Sequence, residues 1–187
     1  MRCIDSCHLG ISGLKVLIGD NGSGKSTLIE AAELLRQTSR PGAYTTDVVR
    51  NIHGGPRNLL RHGATSVELR ARIEGRSAPP LEYRLKLRRS GEDLLVDTER
   101  LLVYADPAAP QPLNAIIRNG TSARVYDSNE KVLTTHDVPL DALVLTSFGL
   151  AALPAMRRAT EALAAIAVHA PFDTRAGWLS RRTDGAS

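Results

Sequence analysis

One segment constrains this chain more than any other. Gly19-Asp20-Asn21-Gly22-Ser23-Gly24-Lys25-Ser26 matches the pattern G-x-x-x-x-G-K-[ST]. Glycines at 19, 22 and 24 permit backbone conformations that a Cβ forbids, so successive N–H groups can turn toward one centre and cradle an anion. The chemistry suited to this spacing is that of a polyphosphate. Lys25 reaches the β and γ phosphates as a point charge, Ser26 offers its hydroxyl to Mg2+, and Thr27 falls near the α phosphate. A helix starting here adds its positive end.

The flanks supply the context such a motif needs. Leu14 to Ile18 (LKVLI) is a short, nearly continuous apolar run, the pattern of a strand buried on both faces. Thr27 to Arg36 (TLIEAAELLR) holds strong helix formers with Leu28, Ala31, Ala32 and Leu35 at helical spacing. A Gly/Ser-rich turn joining a strand to a helix is the plain alternative, and the position of the motif between the two weighs against it. The expected nucleotide-binding residues, for ATP or GTP, are Gly19, Asn21, Gly22, Ser23, Gly24, Lys25, Ser26 and Thr27, with Ser26 the expected Mg2+ ligand.

Residues 37–63 are rich in Gly, Pro, Thr and Arg without a sustained period and read as mostly loop. From Val67 the pattern becomes strict alternation, with Val67, Leu69, Ala71 and Ile73 apolar between charged residues. Leu81, Tyr83, Leu85 and Leu87 repeat it, so an antiparallel pair is expected. Leu94 to Tyr104 continues the strand character, and Asn119-Gly120 is a type I′ hairpin signal. An antiparallel meander over 67–132 follows, interrupted by a surface loop at Asp106 to Pro112.

Beyond Asp141 the chain turns helical over 141–168. Pro154 stands at a first helical position, and Met156, Ala159, Leu163 and Ile166 line one face. Ala165 to His169 has strand as an alternative. Residues 174–187 hold little to bury and read as a flexible tail. The expected fold is α/β: a P-loop lobe over 1–173 with a central strand-loop-helix, an antiparallel β-meander subdomain and following helices.

At 187 residues one well-cored domain is the default. Hydrophobic residues make up 42% and aromatics only 4%, so the core must be aliphatic. No run approaches the ~18 apolar residues of a membrane span, and the N-terminus lacks a signal-peptide core. The expectation is a cytoplasmic protein with no membrane association. Cys3 and Cys7 read there as free thiols, and a zinc site would lack ligands, with only His8 nearby. The charge balance of 24 cations against 20 anions permits contact with DNA without demanding it.

The loop interior carries a resemblance. NGSGKST after LIG resembles the ABC/SMC-type ATPases, including the RecF and overcoming-lysogenization-defect branches. LKVLIGDNGSGKSTLIEAAELL resembles their opening, LLRHGATSVELRARI the start of their antiparallel β-subdomain, and FGLAALPAMRRATEALAAIAVHAPFDT the helix and strand before the second half of the core. The resemblance implies the N-terminal half of an AAA-family-like ATPase that binds Mg·ATP and joins a second lobe or a homodimer partner. Its functions would lie in DNA maintenance, repair or anti-phage defence.

The departures are equally specific. No LSGG-like signature, no apolar strand ending in Asp-Glu and no following switch histidine occurs in these residues. By the resemblance these close over the γ phosphate and activate water, so hydrolysis by this segment stays undecided and no catalytic residue is assigned. Leu101 to Asp106 (LLVYAD) imitates a Walker B strand end, but Pro107 follows and the meander surrounds it. Gln37 comes too early for a γ-phosphate sensor. Arg61 and His62 read as a solvated turn, His136 and His169 as structural, and Trp178 as cover for a partner surface. A nucleotide-gated DNA- or protein-binding module without hydrolysis is the alternative reading; a P-loop kinase or GTPase comes last, lacking an Asn-Lys-x-Asp guanine reader.

Overall fold

The computed structural model describes residues 4–11, 16–75, 78–105, 111–147 and 153–168. A six-stranded antiparallel sheet forms its centre: β1 (Ser66–Ile73), β2 (Leu81–Ser90), β3 (Asp93–Val103), β4 (Leu113–Asn119), β5 (Ser122–Tyr126) and β6 (Val132–Asp137). The strands lie in sequence order, each hydrogen-bonded to the next. The meander read from alternation is therefore present, and it runs five residues beyond 132 through β6. Alternation places one set of side chains on a core face: Val67 and Leu69 pair with Leu87 and Leu85, and Leu81, Tyr83, Leu85 and Leu87 are completely buried.

The β4–β5 turn differs by one position from the Asn-Gly signal. Asn119 pairs with Ser122, so the two loop residues are Gly120 and Thr121. Gly120 has φ 57° while Thr121 keeps a negative φ, which excludes type I′ and fits a glycine-first turn. Long-range bonds select this register: Gly120 N–H donates to the Asp97 carbonyl at 2.9 Å, and Val138 N–H to the Thr121 carbonyl at 2.8 Å.

Among the described residues five helices accompany the sheet: α1 (Lys25–Thr38), α2 (Thr45–His53), α3 (Pro56–Leu59), α4 (Val144–Ser147) and α5 (Pro154–Ala164). Here the loop expected over 37–63 is corrected, since α2 and α3 occupy much of it. The segment TTDVVRNIH is poor in helix formers, and its helix is set by packing. Val48 and Val49 are buried, and α2 packs on β3. Thr45 hydroxyl donates to the Leu94 carbonyl at 3.0 Å and its N–H to the Asp141 carbonyl at 2.7 Å.

The buried face of α1 is also displaced from the expected one. Leu34, Leu35, Thr27 and Thr38 are buried, whereas Leu28 and Ala32 are only half-buried, because α1 packs between α2 and α5. Thr38 tolerates burial by donating its hydroxyl to the Leu34 carbonyl at 2.8 Å. In α5, Pro154 does open the helix, and Met156, Ala159 and Leu163 are buried with Ile166 packed partly against the core. Ala165 to Val168 form no strand; His169 lies outside the described residues, as do Asp106 to Pro110, Trp178 and the tail 174–187.

A buried polar clamp fixes the segment after β6. Arg118 and Glu99 are both completely buried and form an ion pair at 3.6 Å. Glu99 accepts from Tyr83 hydroxyl at 3.0 Å and from the N–H groups of Val144 and Leu145 at 2.8 and 2.9 Å. Arg118 donates to the carbonyls of Gly120 at 2.6 Å, Pro139 at 2.7 Å and Ala142. Burial raises the Glu99 pKa against these bonds, and burial lowers that of Arg118.

One expectation about the centre of the fold needs correction. Val16, Leu17 and Ile18 form no strand and are 71%, 41% and 92% exposed; Leu14 and Lys15 lie outside the described residues. A strand apolar on both faces needs neighbours that pair its backbone and cover its faces. Among the described residues none flanks this segment.

Candidate phosphate-binding loop

Gly19 to Gly24 wrap back on the side chain of Lys25. The Lys25 ammonium donates to the carbonyls of Gly19 and Asp20, the latter at 2.8 Å, and lies 3.3 Å from Ser23 Oγ. A turn closes within the loop through Ser23 N–H to the Asp20 carbonyl at 3.2 Å. Gly22 and Gly24 have φ of 84° and 100°, left-handed conformations that cost an L-residue ~1–2 kcal/mol. The glycine pattern is thus used for geometry. Asp20 enters through its main chain, which explains why no sequence signal marked it.

Gly24 caps α1, whose first turn has no acidic residue and no side-chain cap. The first bond into the helix is Leu28 N–H to the Gly24 carbonyl at 3.1 Å, so the N–H groups of Lys25, Ser26 and Thr27 precede the intrahelical ladder. An anion is the group best suited to such an end. Ser26 is exposed at this mouth, Thr27 is buried beneath it, and Asn21 and Ser23 are exposed on the loop. All eight expected residues therefore fall in one loop and one helix turn. The anchor below is Leu34, completely buried and absent from the expected helix face.

The remaining candidates do not join this group. Gln37 donates to Glu33 Oε1 at 2.6 Å on α1. Arg61 pairs with Asp5 at 2.7 Å on the surface, and His62 is exposed. Leu101 to Val103 belong to the middle of the meander, which removes the resemblance to a Walker B strand end; Asp106 lies outside the described residues. His136 sits on β6 beside Thr134. Cys7 is exposed, and Cys3 lies outside the described residues. Among the described residues no three His, Cys, Asp or Glu side chains cluster as metal donors, and no helix is long and apolar enough to cross a membrane.

A glycine-rich loop running into Lys-Ser at the start of a helix is the residue pattern shared by P-loop proteins. Residues 14–130 match the family described as "AAA domain, putative AbiEii toxin, Type IV TA system". The match spans more than half of the chain, which belongs to this family of AAA-type ATPase domains. No curated protein and no solved structure matches it.

Proposed function

We propose that this protein binds Mg·ATP at Gly19 to Thr27 and forms one half of an ATP-hydrolysing site of the ABC/SMC-like kind. One observation carries the reading: the loop carbonyls already hold the Lys25 ammonium at the mouth of an uncapped, acid-free helix N-terminus. Lys25 is the group for the β and γ phosphates, the loop N–H groups of Asn21 to Gly24 cradle them, Thr27 lies toward the α phosphate, and Ser26 is the Mg2+ ligand. When bound, Mg2+ would neutralise charge between the β and γ phosphates.

The exposed apolar run Val16 to Ile18 supports the half-site reading. Three consecutive aliphatic residues next to the loop are a surface to be covered by strands of a second lobe, whether from the same polypeptide or a partner. Residues 1–173 are then one lobe, acting in DNA maintenance, repair or anti-phage defence. The prediction is nucleotide binding with negligible turnover by this lobe alone. Isothermal titration with ATP and Mg2+ tests it: Lys25→Ala should weaken binding at least about tenfold, ~1.4 kcal/mol. Equal affinity of the two proteins would remove Lys25 from the site.

A further inference from the structure

The sheet face opposite the core carries a row of arginines that the register alone reveals. Reading across the strands, Arg70 opposes Arg84, Arg84 opposes Arg100, Arg100 opposes Ile117, and Ile117 opposes Arg124. Like charges placed directly opposite one another destabilise a sheet. Two members are relieved along their own strands, Arg70 by Glu68 at 2.7 Å and Arg84 by Glu82 at 2.5 Å. Arg100 has Thr98 and Leu102 at the equivalent positions instead, and Arg124 has Ser122 and Tyr126. Arg100 and Arg124 are exposed, and among the described residues neither has an ion-pair partner.

The neighbouring row on the same face is short and polar at this end: Thr98 opposes Asn119, Asn119 opposes Ser122, and Ser122 opposes the acidic Asp137. Ile117, Asn119, Ser122 and Arg124 line a shallow hollow of about 160 Å3. Toward β1 the cations Lys86 and Arg88 are held by Asp97, at 2.9 and 3.4 Å. The uncompensated positive charge is therefore concentrated over β3 to β5.

We infer that this face of the meander binds the phosphate backbone of a nucleic acid, with Arg100 and Arg124 as its principal contacts. Cations repeated in a line suit a repeating polyanion. Arg70 and Arg124 are four strand spacings apart, ~19 Å at ~4.8 Å each, enough to follow several phosphates of one strand. Ser, Thr and Asn side chains beside arginines are the usual company of phosphate contacts, and they position a backbone without reading bases. Ile117 offers an apolar contact between the two bare arginines. This surface is separate from the loop at Gly19 to Ser26 and does not depend on nucleotide there.

The test is fluorescence anisotropy of the full chain, without ATP, against labelled single-stranded and duplex oligonucleotides at salt from about 50 to 200 mM. Wild type should bind at the low end, with affinity falling steeply as salt rises. Arg100→Gln/Arg124→Gln should weaken binding at least about tenfold and reduce the log–log salt slope by ~1.4 on a single strand or ~1.8 on duplex. Arg157→Gln, at an exposed arginine on α5, should bind as wild type does. Both sheet positions are exposed, so the variant should keep the wild-type circular dichroism spectrum. Absence of binding at low salt or an unchanged salt slope in the double variant would overturn the inference. Displacement by polyglutamate as readily as by unlabelled oligonucleotide would reassign the face to acidic protein segments.

Discussion

Replacing Arg118 with methionine should be among the most damaging single changes in this protein. The side chain is completely buried, forms the ion pair with Glu99 and donates to four carbonyls of the turn and the segment after β6. Removing one member of a buried pair strands the other, at a cost of about 3–5 kcal/mol. That is a large part of the ~5–15 kcal/mol by which domains are stable. With a urea dependence of ~1–3 kcal/mol per molar, the unfolding midpoint should fall by at least about 1 M. Equilibrium urea unfolding followed by far-ultraviolet circular dichroism measures this directly.

The companion variant Glu99→Leu/Arg118→Met separates two explanations. For a simple buried ion pair, apolar replacement of both partners is often neutral or stabilising. Here Glu99 also accepts from the N–H groups of Val144 and Leu145, and Arg118 also serves main-chain carbonyls. Those groups would stay buried without partners, each at ~1–3 kcal/mol, so the double variant should not recover. A double variant as stable as wild type, or a single variant within about 0.5 kcal/mol of it, would refute the clamp.

Two further outcomes are expected. Burial raises the Glu99 pKa above its usual 4.5, so this group's contribution is fully present below that value and is lost as pH rises through the raised pKa. The stability difference between wild type and Glu99→Gln should accordingly shift against wild type between pH 4 and neutrality, and a shift in its favour would contradict the burial argument. In the loop, Gly24→Ala places a Cβ at φ 100°, which should cost about 1–2 kcal/mol of stability and abolish measurable ATP binding by titration. Unchanged ATP affinity would mean that the left-handed cap is not needed.

Periodicity carried the meander. The alternation from Val67 to Leu87 tolerates only one pairing face, since a one-residue slip would expose Leu81, Tyr83, Leu85 and Leu87 together. The loop was legible for a different reason: its backbone takes conformations that glycine alone adopts cheaply, so Gly22 and Gly24 leave a trace in the residue types themselves. Pro154 marked α5 by the same logic, because its ring fits the first turn of a helix.

What escaped the sequence was set by contacts distant along the chain. Helix α2 exists because Thr45 bonds to Leu94 and Asp141 and because Val48 and Val49 find β3, against weak local propensity. The burial of Leu34 rather than Leu28 follows from where α2 and α5 meet α1. Arg118 and Glu99 look like ordinary surface charges in the chain and become a buried clamp only when α4 and the β4–β5 turn converge on them. The sequence alone determined the glycine loop and the pleated alternation, since both are properties of neighbouring residues. Which strands oppose which, and therefore which arginines stand in one row and which charges are buried, only the tertiary structure decided, because cross-strand register and burial belong to pairs far apart in the chain.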